Sequence, residues 1–122
     1  PQVQQAERVL LCSGKIGHEL LAERTRREAW GTAILRVAQL YPLPERELAD
    51  QLEHYGSARK IVWVQEEPAN AGAFSFVNPL LDHVARGRSV RSVKRSASAS
   101  PATGSGKAHA LEQKTLIQLA FA

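Results

Sequence analysis

Three apolar runs, separated by two segments of helical periodicity, place the strongest limit on the fold of this chain. The runs are RVLLC at 8–12, TAILRVAQL at 32–40 and KIVWVQEE at 60–67. Runs this continuous are typical of strands that are buried on both faces, as in a parallel sheet. Parallel neighbours require right-handed crossovers, and the intervening segments are long enough to supply helices. The sequence therefore predicts an α/β domain built on a parallel sheet.

The remaining elements follow from periodicity and capping. A first helix is predicted from Ile16 to about Ala29, and a second over PERELADQLEHYG at 44–56. A weaker helix is predicted at 76–84, and SVRSVKR at 89–95 is predicted to be a fourth strand near an edge of the sheet. Gly17 lies inside the first helix, where a glycine costs about 1 kcal/mol relative to alanine.

The stretch RSASASPATGSGKAH at 95–109 is predicted to be a connection within the fold, because an amphipathic helix follows it. That helix begins at Lys107 and carries an apolar stripe that we expect to pack on the core, formed by Leu111, Thr115 and Leu119 with Leu116 and Ala120 beside them. TGSGK at 103–107 lacks both the glycine spacing of a P-loop and the Ser or Thr that follows its lysine. Simple anion binding at this loop stays open.

Size and composition are those of one globular domain, with 122 residues of which 43% are hydrophobic and 23% charged. We therefore predict a single domain over residues 1–122. The apolar runs are far too short to cross a bilayer, and PQVQQAERVLLC lacks the pattern of a signal peptide. Cys12 is the single cysteine and is predicted to be a small core residue. These features indicate a cytoplasmic protein with no membrane partner.

Positive charge is concentrated toward one end of the sequence. From Arg86 onward seven Lys and Arg residues stand against one acid, Glu112, whereas residues 1–85 carry a net charge of −2. Such asymmetry can attract nucleic acid, a phosphorylated small molecule or an acidic protein surface. Nucleic acid is disfavoured, because Phe121 is the one aromatic residue in this segment.

No classical catalytic or metal-binding pattern stands out. The four histidines lie on separate predicted elements without a cysteine partner. Glu66 and Glu67 are neighbours at the end of a predicted strand, and therefore point to opposite faces instead of forming an acid/base pair. The sequence predicts no catalytic residue and no metal ligand in this chain.

Three stretches in order resemble one known family: VLLCSGK at 9–15, VAQLYPLP at 37–44 followed by WVQEEPANAGAF at 63–74, and SASASPATGSGKAHALEQ at 96–113. They are similar to the C-terminal domain of the thiamine-diphosphate-dependent component of 2-oxoglutarate dehydrogenase. KAHALEQ and the final AF are most similar to its actinobacterial branch of multifunctional 2-oxoglutarate decarboxylases and dehydrogenases. The resemblance covers the chain from about Val9 to Ala122.

This resemblance implies a transketolase C-terminal-like domain with three layers, in which helices cover both faces of a mostly parallel sheet. It implies a part in the oxidative decarboxylation of 2-oxoglutarate to carbon dioxide and a succinyl group, a step of the tricarboxylic acid cycle. Thiamine diphosphate and Mg²⁺ are then bound by the other domains, so the isolated chain is expected to be inactive. The implied partners are those other domains, a second copy in a homodimer, a lipoyl-bearing succinyltransferase, and acetyl-CoA as an effector.

Four residues are predicted to bind that effector. The resemblance implies Lys15 and Gln65, which should sit at the carboxyl ends of adjacent strands, where open α/β sheets place ligands. Charge alone adds Lys94 and Arg95. The chain departs from the family at Ile16-Gly17-His18, where relatives carry an aromatic pair, and at Asn70-Ala71-Gly72-Ala73-Phe74.

Two alternatives to this interpretation stay open. The chain could be an independent anion- or nucleotide-binding α/β module that uses Lys15, Lys94, Arg95 and the glycine-containing loop. It could also be a gene fragment without a function of its own.

Overall fold

Seven elements make up the described part of the chain in a computed structural model, which describes residues 6–37, 45–56, 58–68, 85, 88–95 and 106–122. Four are strands, namely β1 (Arg8–Cys12), β2 (Thr32–Arg36), β3 (Lys60–Pro68) and β4 (Val90–Arg95). Three are helices, namely α1 (Ile16–Arg27), α2 (Glu45–His54) and α3 (Gly106–Ala120). The helix predicted at 76–84 and most of the stretch at 95–109 lie outside the described residues.

All four strands are parallel and lie in the order β2-β1-β3-β4. Val9 of β1 stands between Ala33 of β2 and Ile61 of β3, so β1 and β3 are the central pair. The three apolar runs of the sequence are therefore neighbouring strands, and β4 is at an edge of the described sheet. The predicted α/β class with a parallel sheet is confirmed.

Each face of the sheet carries its own core, because successive strand residues point to opposite sides. Val9, Leu11 and Trp63 pack on the face that α2 covers with Leu48 and Leu52, which we call the α2 face. The other face, the α1/α3 face, is covered by both remaining helices, and its core is formed by Leu10, Cys12, Val62 and Val64 with Ile16, Leu20, Leu116, Ala120 and Phe121. Helices on both faces give the predicted three layers.

Helix α3 packs through a different stripe from the one expected. Leu116 and Ala120 are buried as predicted, but Leu111 and Leu119 are 65% and 49% exposed. The expectation for these two leucines was wrong, because α3 is apolar around much of its circumference and periodicity cannot choose between its stripes. Helix α1 also ends two residues earlier than predicted, at Arg27, where Glu28 takes a left-handed conformation with φ of 53°.

Several basic side chains hold helix ends in place. Arg88 donates to the carbonyl oxygens of Leu52, Tyr55 and Ala58 at 2.8 to 3.2 Å, which ties the segment before β4 to the end of α2. Carbonyl groups at a helix C-terminus lack partners within the helix and carry partial negative charge, which a guanidinium satisfies.

The end of α3 is held in the same way. Arg91 donates to the carbonyl oxygen of Leu119 at 3.3 Å, and Arg8 donates to those of Phe121 and Ala122 at 2.5 and 2.8 Å. Burial, followed by repulsion from Arg91 and Arg27, lowers the pKa of Arg8 from its usual value. Arg88 and Arg91, two members of the basic excess noted in the sequence, thus anchor helices.

Candidate functional site

The carboxyl edge between β1 and β3 is where this topology places a ligand site. Within the sheet, β2 is the neighbour of β1 on one side, and β3, which the chain forms later, is the neighbour of β1 on the other side. Such a reversal of strand order opens a crevice at the carboxyl ends of the two central strands, the usual ligand site of open α/β sheets. Lys15 follows β1, and Gln65 lies near the end of β3, so both stand at adjacent strand ends as expected.

A tight turn sets the position of Lys15. Gly14 has a φ of +82°, a left-handed conformation that glycine adopts without steric cost, and this lets α1 begin two residues later. Lys15 is the N-cap residue of α1, and its own side chain forms no capping hydrogen bond. The first amide groups of α1 therefore add positive potential beside the Lys15 ammonium.

A cavity of about 920 Å³ opens between α1 and α3 and reaches the end of β3. Its polar walls carry both signs of charge, with Lys15, Arg26 and Lys114 as cations and Glu19, Glu23 and Glu66 as acids. His18, Gln113 and Gln118 also line it. A cavity of this size is within the range of small-molecule sites.

Gln113 joins three elements at the cavity. Its amide nitrogen donates to Glu19 of α1 at 2.8 Å and to Glu66 of β3 at 3.4 Å, so α3 is tied to both neighbours. Gln113 was not among the site residues predicted from the sequence. Gln113 belongs to the string HALEQ at 109–113, which resembles the family and could have pointed to this residue.

Some charged side chains of the cavity form ion pairs and others do not. Glu23 forms ion pairs with Arg26 and Arg27 at 2.5 Å, and hydrogen bonds from these two guanidinium groups lower its pKa to about 2. Among the described residues, by contrast, neither Lys15 nor Lys114 forms an ion pair. These two ammonium groups are the charges available to an anionic ligand.

Gln65 lies on the other side of the sheet. It is only 4% exposed, and its side-chain oxygen accepts a hydrogen bond from Trp63 Nε1 at 2.9 Å. Trp63 belongs to the core of the α2 face, so Gln65 points away from the cavity that holds Lys15. The structure places the two residues at neighbouring strand ends but on opposite faces.

Lys94 and Arg95 lie at the carboxyl end of β4. Lys94 is half-buried, its ammonium donates to the Ser92 hydroxyl, and it does not line the cavity. Arg95 ends β4, and its side chain lies outside the described part of the structure. Of the four predicted effector residues, Lys15 alone is shown in the cavity.

Cys12 behaves as the core residue that the sequence predicts. It is fully buried on the α1/α3 face, and this burial raises the pKa of its thiol to about 11, although the charge of Arg36 acts in the opposite direction. The thiol is therefore protonated at neutral pH and is a poor nucleophile. Within the described residues, no three His, Cys, Asp or Glu side chains are grouped so that they could hold a metal ion.

None of the helices in the described ranges combines the length and apolar character that a membrane crossing requires.

Together, the parallel sheet, its two helical layers and the cavity at the carboxyl edge define an open α/β domain. Among solved structures it is similar to a chain of a split-gene transketolase described as an inactive β4 tetramer, with a TM-score of 0.64 and 18% identity. The match covers 95% of this chain and 38% of that chain, and it concerns the fold alone. The family model of the 2-oxoglutarate dehydrogenase C-terminal region matches residues 1–121, and the chain belongs to this family.

Curated relatives agree with this family. The chain is 42% identical over 119 residues to the 2-oxoglutarate dehydrogenase E1 component of Cupriavidus necator, covering 97% of this chain and 12% of that protein. It is also 42% identical over 119 residues to the multifunctional 2-oxoglutarate metabolism enzyme of Mycolicibacterium vanbaalenii, covering 96% of this chain and 10% of that protein. The chain thus spans about a tenth of the length of these relatives, and the resemblance seen in the sequence is confirmed.

Proposed function

We propose that residues 1–122 form one domain that acts as the C-terminal part of a 2-oxoglutarate dehydrogenase or decarboxylase. The observation that carries this proposal is the family match over nearly the whole chain, to relatives named for 2-oxoglutarate metabolism. The full enzyme would release carbon dioxide from 2-oxoglutarate and pass the succinyl group to a lipoyl-bearing succinyltransferase, as a cytoplasmic step of the tricarboxylic acid cycle. Thiamine diphosphate and Mg²⁺ would be bound by its other domains.

The part played by this domain would be structural and regulatory. It would pack against the other domains, complete a homodimer and bind acetyl-CoA as an effector. The ammonium of Lys15, which forms no ion pair among the described residues, lies at the N-terminus of α1 and supports the effector role, because acetyl-CoA carries several phosphate groups. We propose Lys94 and Arg95 as further phosphate contacts and Gln65 as a residue that shapes the strand end beneath the ligand.

The structural role of the domain in the full enzyme is tested by complementation. Fusing this chain to the remaining domains of such an enzyme, in place of their own C-terminal domain, should restore dimerisation and decarboxylation, while the isolated chain should show no turnover. A fusion that assembles normally and stays inactive would count against the proposal.

The effector role is tested by calorimetry on the 122-residue chain. Acetyl-CoA should bind saturably, and Lys15→Ala should weaken binding roughly tenfold, the loss of one charge-assisted phosphate contact. Arg59→Ala is the matched control, because it removes an exposed cation just before β3, at the opposite edge of the sheet. Binding of ATP or short DNA without acetyl-CoA would instead favour an independent nucleotide-binding module.

A further inference from the structure

The cavity between α1 and α3 contains charged side chains of both signs that do not pair with one another. Lys15 and Lys114 supply two ammonium groups, and Glu19 and Glu66 supply two carboxylates. Among the described residues, none of these four groups forms an ion pair, although all of them line the same cavity. Opposite charges that share a cavity without touching leave space between them for a ligand that carries both signs of charge.

The two carboxylates meet at one point of the cavity. The side-chain nitrogen of Gln113 donates to Glu19 at 2.8 Å and to Glu66 at 3.4 Å, so both acidic groups lie beside a single neutral donor. The amide supplies hydrogen atoms but no charge, and the two carboxylates therefore still repel each other. Glu66 is half-buried, where solvent screens this repulsion less than it does at the surface. The pair favours a cationic group with several donors, such as an ammonium.

The two ammonium groups of the protein stand on different walls of the cavity. Lys15 is at the start of α1, whereas Lys114 belongs to α3, so a ligand with two anionic groups would contact both walls. Arg26, the third cation of the lining, pairs with Glu23, which also pairs with Arg27. Because two guanidinium groups share this one carboxylate, the cavity has a small excess of positive charge. A ligand with one net negative charge balances that excess.

We propose that this cavity binds an acidic α-amino acid, a small molecule with two carboxylates and one ammonium. The ligand ammonium lies between Glu19 and Glu66, and its carboxylates contact Lys15 and Lys114. Both signs are required, because a plain diacid would leave the two glutamates repelling each other, and an amine with one carboxylate would leave one lysine without a partner. The inference goes beyond the proposed function, with which it shares Lys15 alone.

The binding should be weak. The cavity of about 920 Å³ is larger than an amino acid, so water fills the remaining space and bridges some of the contacts. Lys15, Lys114 and Glu19 are exposed, and solvent screening reduces what each exposed ion pair contributes. The expected Kd is on the order of 10⁻⁴ to 10⁻³ M at low ionic strength. Added salt should weaken the binding further.

NMR titration of the isotope-labelled 122-residue chain with L-glutamate, from about 0.1 to about 20 mM, measures this binding. Backbone amide signals of residues 15–19 and 110–118 should shift saturably, whereas those of α2, on the opposite face of the sheet, should not. Glutarate lacks the ammonium, and 4-aminobutyrate lacks one carboxylate. Each of these two probes should bind roughly tenfold more weakly than L-glutamate.

Two substitutions test the assigned contacts. Glu66→Gln keeps the shape of the side chain and an acceptor for Gln113 but removes one charge, so it should weaken glutamate binding roughly fivefold and glutarate binding not at all. Lys114→Ala should weaken the binding of both probes roughly fivefold. Glu28→Gln and Arg59→Ala are the matched controls, because each removes an exposed charge that does not line the cavity. The amide spectrum of each variant shows whether it is folded.

Several results would overturn the inference. One is the absence of saturable shifts with L-glutamate, or shifts confined to another part of the chain. Another is a Kd for glutarate or 4-aminobutyrate equal to that for L-glutamate, since the arrangement of charges would then have no effect. A Kd for L-glutamate that is the same in Glu66→Gln and Lys114→Ala as in the wild type would also overturn it. These measurements involve neither acetyl-CoA nor assembly with other domains, so their failure would leave the proposed function intact.

Discussion

Gly17 in α1 lies directly beneath the side chain of Arg36 at the end of β2. A β carbon built on Gly17 would stand 2.8 Å from both Cδ and Nε of Arg36, which is closer than such atoms approach in folded proteins. The glycine therefore allows the arginine side chain to lie across the first turn of α1. The unfavourable helix propensity of Gly17 is offset by the close packing of α1 on β2 that it permits.

Replacing Gly17 with alanine should therefore stabilise the protein by less than the roughly 1 kcal/mol that helix propensity alone predicts. The arginine must move by a few tenths of an ångström or more, which its flexible side chain can do. In an Arg36→Ala background the obstacle is absent, and Gly17→Ala should show its full gain. Urea denaturation of the four proteins gives the coupling between the two positions. Equal gains in both backgrounds would show that the contact has no energetic effect.

Replacing Gly14 with alanine should destabilise the chain by about 1 to 2 kcal/mol, because an L-residue is strained in the left-handed conformation. Apart from its two chain neighbours, no described residue has an atom within 4 Å of the β carbon position, so the effect would come from the backbone. Gly31→Ala is the control, since that position is equally open and has no positive φ. Thermal unfolding should separate the two variants clearly, and similar midpoints would contradict the prediction.

Removal of the Arg88 side chain should cost about 2 kcal/mol, the loss of charge-assisted hydrogen bonds to three carbonyl groups near the end of α2. Arg88→Lys should recover only part of this, because an ammonium cannot reproduce the fork of a guanidinium. Arg59→Ala removes a nearby exposed arginine and should change the free energy of unfolding by less than about 0.5 kcal/mol. If the two alanine variants were equally stable, the role assigned to Arg88 would be wrong.

Gln113→Ala should lower stability by about 1 kcal/mol, since it breaks the links from α3 to Glu19 and Glu66. Gln118→Ala shortens an exposed glutamine on the same helix and at the same cavity, and it serves as the control. Hydrogen exchange should increase in the first turns of α3 for Gln113→Ala alone. Unchanged exchange there would mean that packing alone holds α3 in place.

The contribution of Glu23 to the free energy of unfolding should decrease over a defined acidic pH range. Its folded pKa of about 2 lies below the ordinary value of 4.5, so its ion pairs stabilise the fold above pH 4.5 and lose that effect as the pH falls toward 2. Glu23→Gln should therefore be less stable than wild type at pH 7 by a small, salt-sensitive amount that shrinks as the pH falls from 4.5 through 2. Glu28→Gln, at a glutamate with no ion pair among the described residues, should show no such difference. A Glu23→Gln difference as large at pH 2 as at pH 7 would rule out this assignment.

The elements of the fold were predictable because their signals are local. The continuous apolar runs around Val9, Ala33 and Ile61 required strands buried on both faces, and these residues are aligned neighbours in the sheet. The turn at Ser13-Gly14 and the buried state of Cys12 also followed from adjacent residues. Each of these features depends on residues that are neighbours in the sequence, so each could be predicted from one short stretch.

The site was less predictable, because it depends on which side of an element each residue faces. Lys15 could be placed at the end of β1, but only the docked α3 makes the cavity in which it lies. Gln65 was expected near Lys15, and the alternation along β3 turns it toward Trp63 on the opposite face. Gln113 reaches Glu19 across 94 positions of sequence, a contact that no local pattern indicates.

The sequence by itself determined the order of strands and helices, the family and the turn that presents Lys15, because each depends on short-range periodicity, backbone conformation or motif. Only the tertiary structure decided which stripe of α3 is buried, since Leu116 and Leu119 are equally hydrophobic and their exposure depends on how the helix docks on the sheet. It also decided that Arg88 and Arg91 satisfy helix carbonyl groups, because those oxygens come within reach only when distant elements pack together.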